Sequence, residues 1–136
     1  MTPYNRRVFD TNVLVGHWRM KRQDRHISQI EITEVRDWAS DLIRLMNSDA
    51  IVTPVRLEFL DGSRDQHESN LAEAYLEKFQ IVDGGMITPL DWSNTARSIS
   101  RIPRDGRPRH LVDCLILSIC DRLRYEVLTS ESRFGS

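Results

Sequence analysis

The stretch Arg7-Val8-Phe9-Asp10-Thr11-Asn12 decides the fold class of this 136-residue chain. Its first four residues, with Val8 and Phe9 at their centre, predict a short strand, and the polar residues Thr11 and Asn12 follow it. Three further runs of this kind are predicted as strands, and longer segments with helical spacing of apolar residues lie between them. The predicted strands are 7–10, 50–53, 85–90 and 126–129, and the main predicted helices are 30–47, 71–79, 91–99 with Asp91 as N-cap, and 111–123.

Strands that alternate with helices imply a mainly parallel sheet covered by helices on both faces. We therefore expect an α/β fold of three layers, α/β/α, around a central sheet. Residues 1–136 are expected to form a single domain, since 136 residues lie within the usual size range of one domain. In such sheets ligands collect at the carboxyl ends of the strands. The residues that follow each strand are therefore the first candidates for a functional site.

Composition and cysteine content exclude several classes of protein. No apolar run approaches the roughly 18 residues that a membrane-spanning helix needs. The start of the chain, residues 1–7, has no apolar segment of the kind found in secretory signals. Cys114 and Cys120 are six residues apart in one helical pattern, which favours two buried thiols over a disulfide. We expect a cytoplasmic protein with no membrane partner.

Four acidic residues lie near the predicted carboxyl edge of the sheet. Asp10 follows the first strand, Glu58 lies about one helical turn beyond the second, Asp113 begins the last helix, and Glu131 follows the fourth strand. Carboxylates gathered in one pocket repel each other unless they are protonated or bound to a cation. Hard oxygen donors without thiolates or a histidine cluster suit Mg²⁺ or Mn²⁺. The alternative is that these are solvated surface groups among the chain's 20 acidic residues.

The histidines give no sign of such a metal site. They show no ligand-like spacing, and we expect all of them at the surface. They are His17, His26, His67 and His110.

Four blocks of the sequence resemble the PIN-domain family, particularly VapC-like toxins of bacterial toxin–antitoxin pairs. They occur in the family's order and extend over nearly the whole chain. The blocks are Val8-Phe9-Asp10-Thr11-Asn12-Val13-Leu14-Val15, residues 52–62, residues 112–119 and residues 127–134. The resemblance implies a PIN-like fold in which Asp10, Glu58 and Asp113 are the three main acids of the site.

The resemblance also assigns roles to neighbouring residues. Asn12 matches a residue that usually orients the first acid, although a simple turn residue is the alternative, and Thr129 matches a hydroxyl residue that bonds within the site. Glu131 stands where aspartate or asparagine is more usual. The chain ends at Ser136, where relatives usually continue into another short edge strand. We therefore expect a sheet of four or five strands.

Arginine dominates the basic residues, since Lys21 and Lys78 are the only lysines among 19 basic side chains. Arginine suits bidentate phosphate contacts, but a compositional bias of the source genome is the favoured explanation of the skew. One loop before the last helix is predicted to hold RNA phosphates, with a solvated basic loop as the alternative. Its arginines are Arg101, Arg104, Arg107 and Arg109.

A second basic segment, residues 17–26, contains Trp18 and Met20. Trp18 is expected either to stack on a base or to pack in the core or a partner interface. Because this helical region commonly meets the antitoxin in VapC-like proteins, both residues are candidates for that contact.

The resemblance implies a Mg²⁺- or Mn²⁺-dependent endoribonuclease that hydrolyses RNA phosphodiesters with a metal-activated water. The expected metal-binding and catalytic residues are Asp10, Glu58, Asp113 and Glu131. The expected partners are RNA, a cognate antitoxin and a second copy in a homodimer. A catalytically weakened PIN domain that only binds RNA or protein is the main alternative, suggested by Glu131 and the short chain end.

Two other α/β classes are less compatible with the sequence. A response-regulator-like domain would need a lysine after a late strand, and neither lysine is so placed. A dinucleotide enzyme would need a glycine-rich loop after the first strand, where Asp10-Thr11-Asn12 stands instead.

Overall fold

The computed structural model describes residues 5–101 and 110–129. In these residues four strands and six α-helices form a mixed α/β fold. The strands are β1 (Arg7–Phe9), β2 (Ala50–Ile51), β3 (Gln80–Ile81) and β4 (Glu126–Leu128). The helices are α1 (Thr11–Arg22), α2 (Ile32–Met46), α3 (Thr53–Asp61), α4 (Gln66–Leu76), α5 (Pro89–Ser100) and α6 (His110–Leu123).

The four strands form one sheet in the order β3-β2-β1-β4, and every pairing is parallel. β1 lies inside the sheet, where Val8 pairs with Ala50 on one side and Val127 on the other. The backbone N–H of Asp10 donates to the carbonyl of Leu128 at 3.0 Å, which continues the pairing of β1 with β4 past the end of β1. The predicted α/β class and parallel sheet are confirmed, and the arrangement is compatible with three α/β/α layers.

The predicted third strand, 85–90, is wrong. The strand at this place in the order is β3, and residues 82–85 form a turn. Gly84 and Gly85 take φ angles of 64° and 77°, a left-handed conformation that glycine adopts without a Cβ clash. Pro89 then starts α5, where its missing N–H costs no hydrogen bond. The apolar pair that suggested a strand, Met86 and Ile87, lies in the short connection between turn and helix.

Asp91 is not the N-cap of α5, as the sequence suggested. Thr88 is the N-cap, and its hydroxyl accepts a hydrogen bond from the backbone N–H of Asp91. The Asp91 carboxylate accepts the Thr88 backbone N–H and two hydrogen bonds from Arg122 of α6, at 2.8 and 2.9 Å. The Asp91 side chain is fully buried, and its pKa is lowered chiefly by the bond with Arg122. This ion pair fastens α5 to α6.

Aromatic side chains form much of the core under α1, α2 and α4. Trp18 packs edge-to-face against Trp38, Phe59 and Tyr75, with ring centroids 5.3 to 5.5 Å apart. Because only 8% of Trp18 is exposed, this residue is a core residue rather than a platform for a base. Met20 is 53% exposed and faces outward from α1.

The prediction that all histidines lie at the surface is wrong for His17. Its ring is 2% exposed, and Nδ1 lies 2.7 Å from the hydroxyl of Tyr75. Tyr75 of α4 covers His17, and the sequence pattern of α1 alone gives no sign of this contact. His26 and His67 are exposed as predicted, and the side chain of His110 lies outside the described residues.

The two cysteines are buried free thiols, as predicted. Burial raises the pKa of Cys120 to about 12, so this thiol stays protonated and unreactive. No helix in the part of the chain that the structure describes has the length and apolar character to cross a membrane.

Candidate functional site

Three of the four predicted acids line one cleft, of about 500 Å³. Asp10 directly follows β1, Glu58 lies in the second turn of α3 just beyond β2, and Asp113 lies in the first turn of α6. The parallel sheet brings these positions together, because the carboxyl ends of β1 and β2 meet at the same edge. Residues separated by about a hundred positions in sequence thus share one pocket.

The Asp10 carboxylate is fixed to the start of α1. Asp10 is the N-cap of this helix, and Oδ1 accepts the backbone N–H of Thr11 at 2.7 Å. Burial raises the pKa of Asp10, the Thr11 hydrogen bond opposes this rise, and the charges of Asp113 and Glu58 add to it. Asp113 and Glu58 therefore each repel the Asp10 carboxylate, and a bound cation would relieve that repulsion.

Thr11, which donates a hydrogen bond to Asp10, also donates one to Glu58. The hydroxyl of Thr11 donates to Oε1 of Glu58 at 2.5 Å, which links α1 to α3. Sequence reasoning missed Thr11, although a hydroxyl residue in the helical turn beside an acid was a usable signal. Asn12, expected to orient the first acid, is exposed and lines the cleft, and within residues 5–101 and 110–129 its side chain has no hydrogen bond to Asp10.

A second cavity, of about 620 Å³, adjoins the first along α6 and β4. Asp10 and Asp113 line both cavities, and Thr129 lines the second. Thr129 follows β4 as Asp10 follows β1, so it lies at the same edge of the sheet. This places Thr129 beside the acids, in keeping with its expected location, and its bonding role stays a prediction.

Several predicted residues fall away from the cleft or outside the described chain. Arg101 is exposed at the end of α5 and lines neither of these two cavities. Glu131 and three arginines of the predicted RNA-binding loop lie outside the described residues. Those arginines are Arg104, Arg107 and Arg109.

Two charged residues of the cleft were not predicted. Arg19 lines the cleft from the same face of α1 as Thr11 and Val15, because residues four apart lie above one another on a helix. Asp61 is the exposed last residue of α3 and also lines the cleft. The spacing of 11, 15 and 19 was a readable signal once α1 was known.

The donor chemistry of the cleft suits a hard divalent cation. Its carboxylate oxygens are the ligands that Mg²⁺ and Mn²⁺ prefer, and their mutual repulsion favours a positive partner. Among the described residues, however, no three His, Cys, Asp or Glu side chains are already arranged as a metal-binding set. Metal binding would therefore require side-chain rotation within the cleft.

Comparison with known proteins found no matching protein-family model, no matching curated protein and no matching solved structure. Functional inference for this chain therefore depends on its own residues.

Proposed function

We propose that this chain is a metal-dependent endoribonuclease of the PIN-domain, VapC-like type, the toxin of a cytoplasmic toxin–antitoxin pair. One observation carries the proposal: Asp10, Glu58 and Asp113, the acids of three family-like blocks, line a single cleft at the carboxyl edge of a parallel sheet. Such an edge is where α/β proteins usually bind ligands. Three carboxylates in one cleft would repel an RNA phosphate unless a cation intervened.

Mg²⁺ or Mn²⁺ held by Asp10, Glu58 and Asp113 would activate water and neutralise charge on the phosphodiester. The chain's own contribution is to position these acids. Thr11 fixes two of them through its backbone N–H and its hydroxyl, and α6 brings in Asp113. Glu131 is proposed to complete or tune the site.

A binding-only PIN domain is the second candidate function. The lack of a preassembled metal-ligand set within the described residues favours it. In that case the cleft would retain its acids and bind RNA or a protein without turnover.

The proposed partners are RNA, a cognate antitoxin and a second copy of the chain. Of the two residues considered for the antitoxin contact, Met20 is exposed and available, whereas Trp18 is enclosed by the aromatic core. Met20 is therefore the better position at which to look for that interface.

The deciding experiment is cleavage of a mixed RNA pool by protein freed of any bound antitoxin. Mg²⁺, Mn²⁺ and EDTA are compared, with Asp10→Asn as the site variant and Asp37→Asn as the matched control, since Asp37 is exposed on α2. Cutting that needs metal, disappears in Asp10→Asn and persists in Asp37→Asn supports the nuclease. A folded protein that cuts none of several RNA classes supports the binding module.

A further inference from the structure

A groove of about 420 Å³ lies between α1, α3 and α4 and adjoins the acidic cleft. Val15, Arg19 and Glu58 line both spaces, so the groove and the cleft are next to each other. A ligand long enough to leave the cleft on this side would enter the groove directly.

Four arginines line this arginine groove: Arg19, Arg22, Arg25 and Arg64. Two of them are engaged by the protein itself. Arg25 donates to both oxygens of Glu34 at 2.6 and 2.8 Å, and Arg22 lies 3.7 Å from Glu68.

The other two arginines are available to a ligand. Arg19 and Arg64 are exposed, and neither forms an ion pair with a carboxylate of the described chain. Apart from Glu58, the acids of the groove are Glu68 and the exposed Asp24. Glu68 also accepts a hydrogen bond from the backbone N–H of Arg64. This bond, together with the contact with Arg22, partly offsets the negative charge of Glu68. Among residues 5–101 and 110–129, the groove therefore has two guanidinium groups that no carboxylate pairs with, beside the partly offset charge of Glu68.

Three apolar side chains also line the groove. They are Trp18, Phe59 and Ala72, and all three are buried. Because buried rings offer no face for a base to stack on, a ligand of the groove would be held mainly by the arginines. Guanidinium groups are well matched to phosphate oxygens because they donate in a planar fork.

We propose that the arginine groove binds the phosphate backbone of single-stranded RNA on one side of the phosphate that is cut. Arg19 lies at the junction of groove and cleft, and Arg64 lies farther along the groove. Along α1, Thr11 and Arg19 are separated by about 12 Å at 1.5 Å per residue. That distance corresponds to roughly three stacked nucleotides at about 3.4 Å each. The assignment rests on the proposed nuclease function of the cleft.

The test measures binding of a fluorescein-labelled single-stranded RNA of mixed sequence to the wild-type protein in EDTA, which prevents cleavage. Arg19→Ala and Arg64→Ala should each weaken binding about fivefold or more, as expected for lost phosphate contacts. The slope of log K against log salt concentration should become shallower by about 0.7 for each lost contact. Arg44→Ala is the control, since Arg44 is an exposed arginine of α2 that lines none of the three cavities.

Unchanged RNA affinity in both groove variants, with thermal unfolding like that of the wild type, would overturn the proposal. Binding of labelled hexaglutamate that is lost in Arg19→Ala and Arg64→Ala, with RNA affinity unchanged in the same variants, would instead assign the groove to an acidic protein segment. RNA binding through these arginines without any cutting in Mg²⁺ or Mn²⁺ would contradict the proposed nuclease function, but it would support RNA binding by the groove. Cutting at low RNA concentration that is equally fast in the wild type and both variants would contradict RNA binding by the groove, but not the nuclease function.

Discussion

Thr11 contacts both Asp10 and Glu58, but only its bond to Glu58 joins two helices: the hydroxyl donates to the Glu58 carboxylate at 2.5 Å and ties the first turn of α1 to α3. The position of Glu58 in the cleft is therefore set by α1 as much as by its own helix. Thr11 is not itself a candidate metal ligand, but it helps to set the position of Glu58, which is one.

Thr11→Val should weaken metal binding by about tenfold, because loss of a hydrogen bond that orients a ligand typically costs 10- to 100-fold in affinity. Valine keeps the shape and removes the donor. Calorimetric titration with Mn²⁺ and the metal dependence of cleavage should shift together, and Thr11→Ser should restore both. Equal Mn²⁺ affinity in Thr11→Val and the wild type would show that the bond has no part in metal binding.

Asp113→Asn should reduce metal-dependent cleavage by about 100-fold or more, since a lost ligand forfeits several kcal/mol of charge stabilisation. The same change removes a charge that raises the pKa of Asp10, so the metal-free protein should unfold at an equal or higher temperature. Cleavage assays and thermal unfolding in EDTA measure the two effects. A variant that cuts normally, or one that has lost its fold, would contradict this assignment.

Stability should fall as the pH drops from 6.5 to 4 because of His17. Burial lowers its pKa to about 4, whereas an unfolded histidine has a pKa near 6.5. Between these values the unfolded chain binds more protons than the folded chain, so acid favours unfolding by up to about 1.4 kcal/mol per pH unit. Urea unfolding at pH 7, 6 and 5 should give a flatter pH dependence in His17→Gln than in the wild type.

His26→Gln is the matched control for His17, since His26 is exposed. It should keep the pH dependence of the wild type. A pH dependence that is identical in His17→Gln and the wild type would show that His17 does not stay neutral in the folded protein.

Asp91→Asn should destabilise the fold by about 2 kcal/mol or more, because it leaves Arg122 without its charged partner in a partly buried setting. Urea unfolding should show this loss, while Asp37→Asn on the surface of α2 should change stability by less than about 0.5 kcal/mol. The double variant Asp91→Leu, Arg122→Met should recover part of the loss. A stable Asp91→Asn protein would mean that α5 and α6 are held by apolar packing alone.

Much of the fold was predictable because four of the six described helices, α2, α4, α5 and α6, have apolar residues at helical spacing, and because β1, β2 and β4 contain short apolar runs. Helices α1 and α3 were not among the predicted helices. The acids of the cleft were predictable for a topological reason, since parallel strands bring their carboxyl ends to one edge. β3 was missed because Gln80 and Ile81 are both exposed and give no apolar run. The predicted strand was therefore placed too late, on residues that mostly belong to the connection between the glycine turn and α5.

Contacts between helices were the part that the sequence did not reveal. The bond of Thr11 to Glu58 depends on how α1 packs against α3, and the burial of His17 depends on Tyr75 of α4, 58 residues away. Asp91 looked like a cap because its partner Arg122 lies in another helix. Local spacing describes one helix at a time and carries no information on these pairs.

The pairing of β1 with β4 also determines when the cleft can form during synthesis of the chain. The chain emerges from the ribosome with β1 first, yet one neighbour of β1 is the last strand of the described sheet, and Asp113 belongs to the helix just before it. An unfinished chain that ends before residue 110 contains two of the three cleft acids and leaves one side of β1 unpaired. The cleft can assemble only after α6 and β4 have been synthesised, so under the proposed function a chain that stops before α6 should not cut the RNA around it.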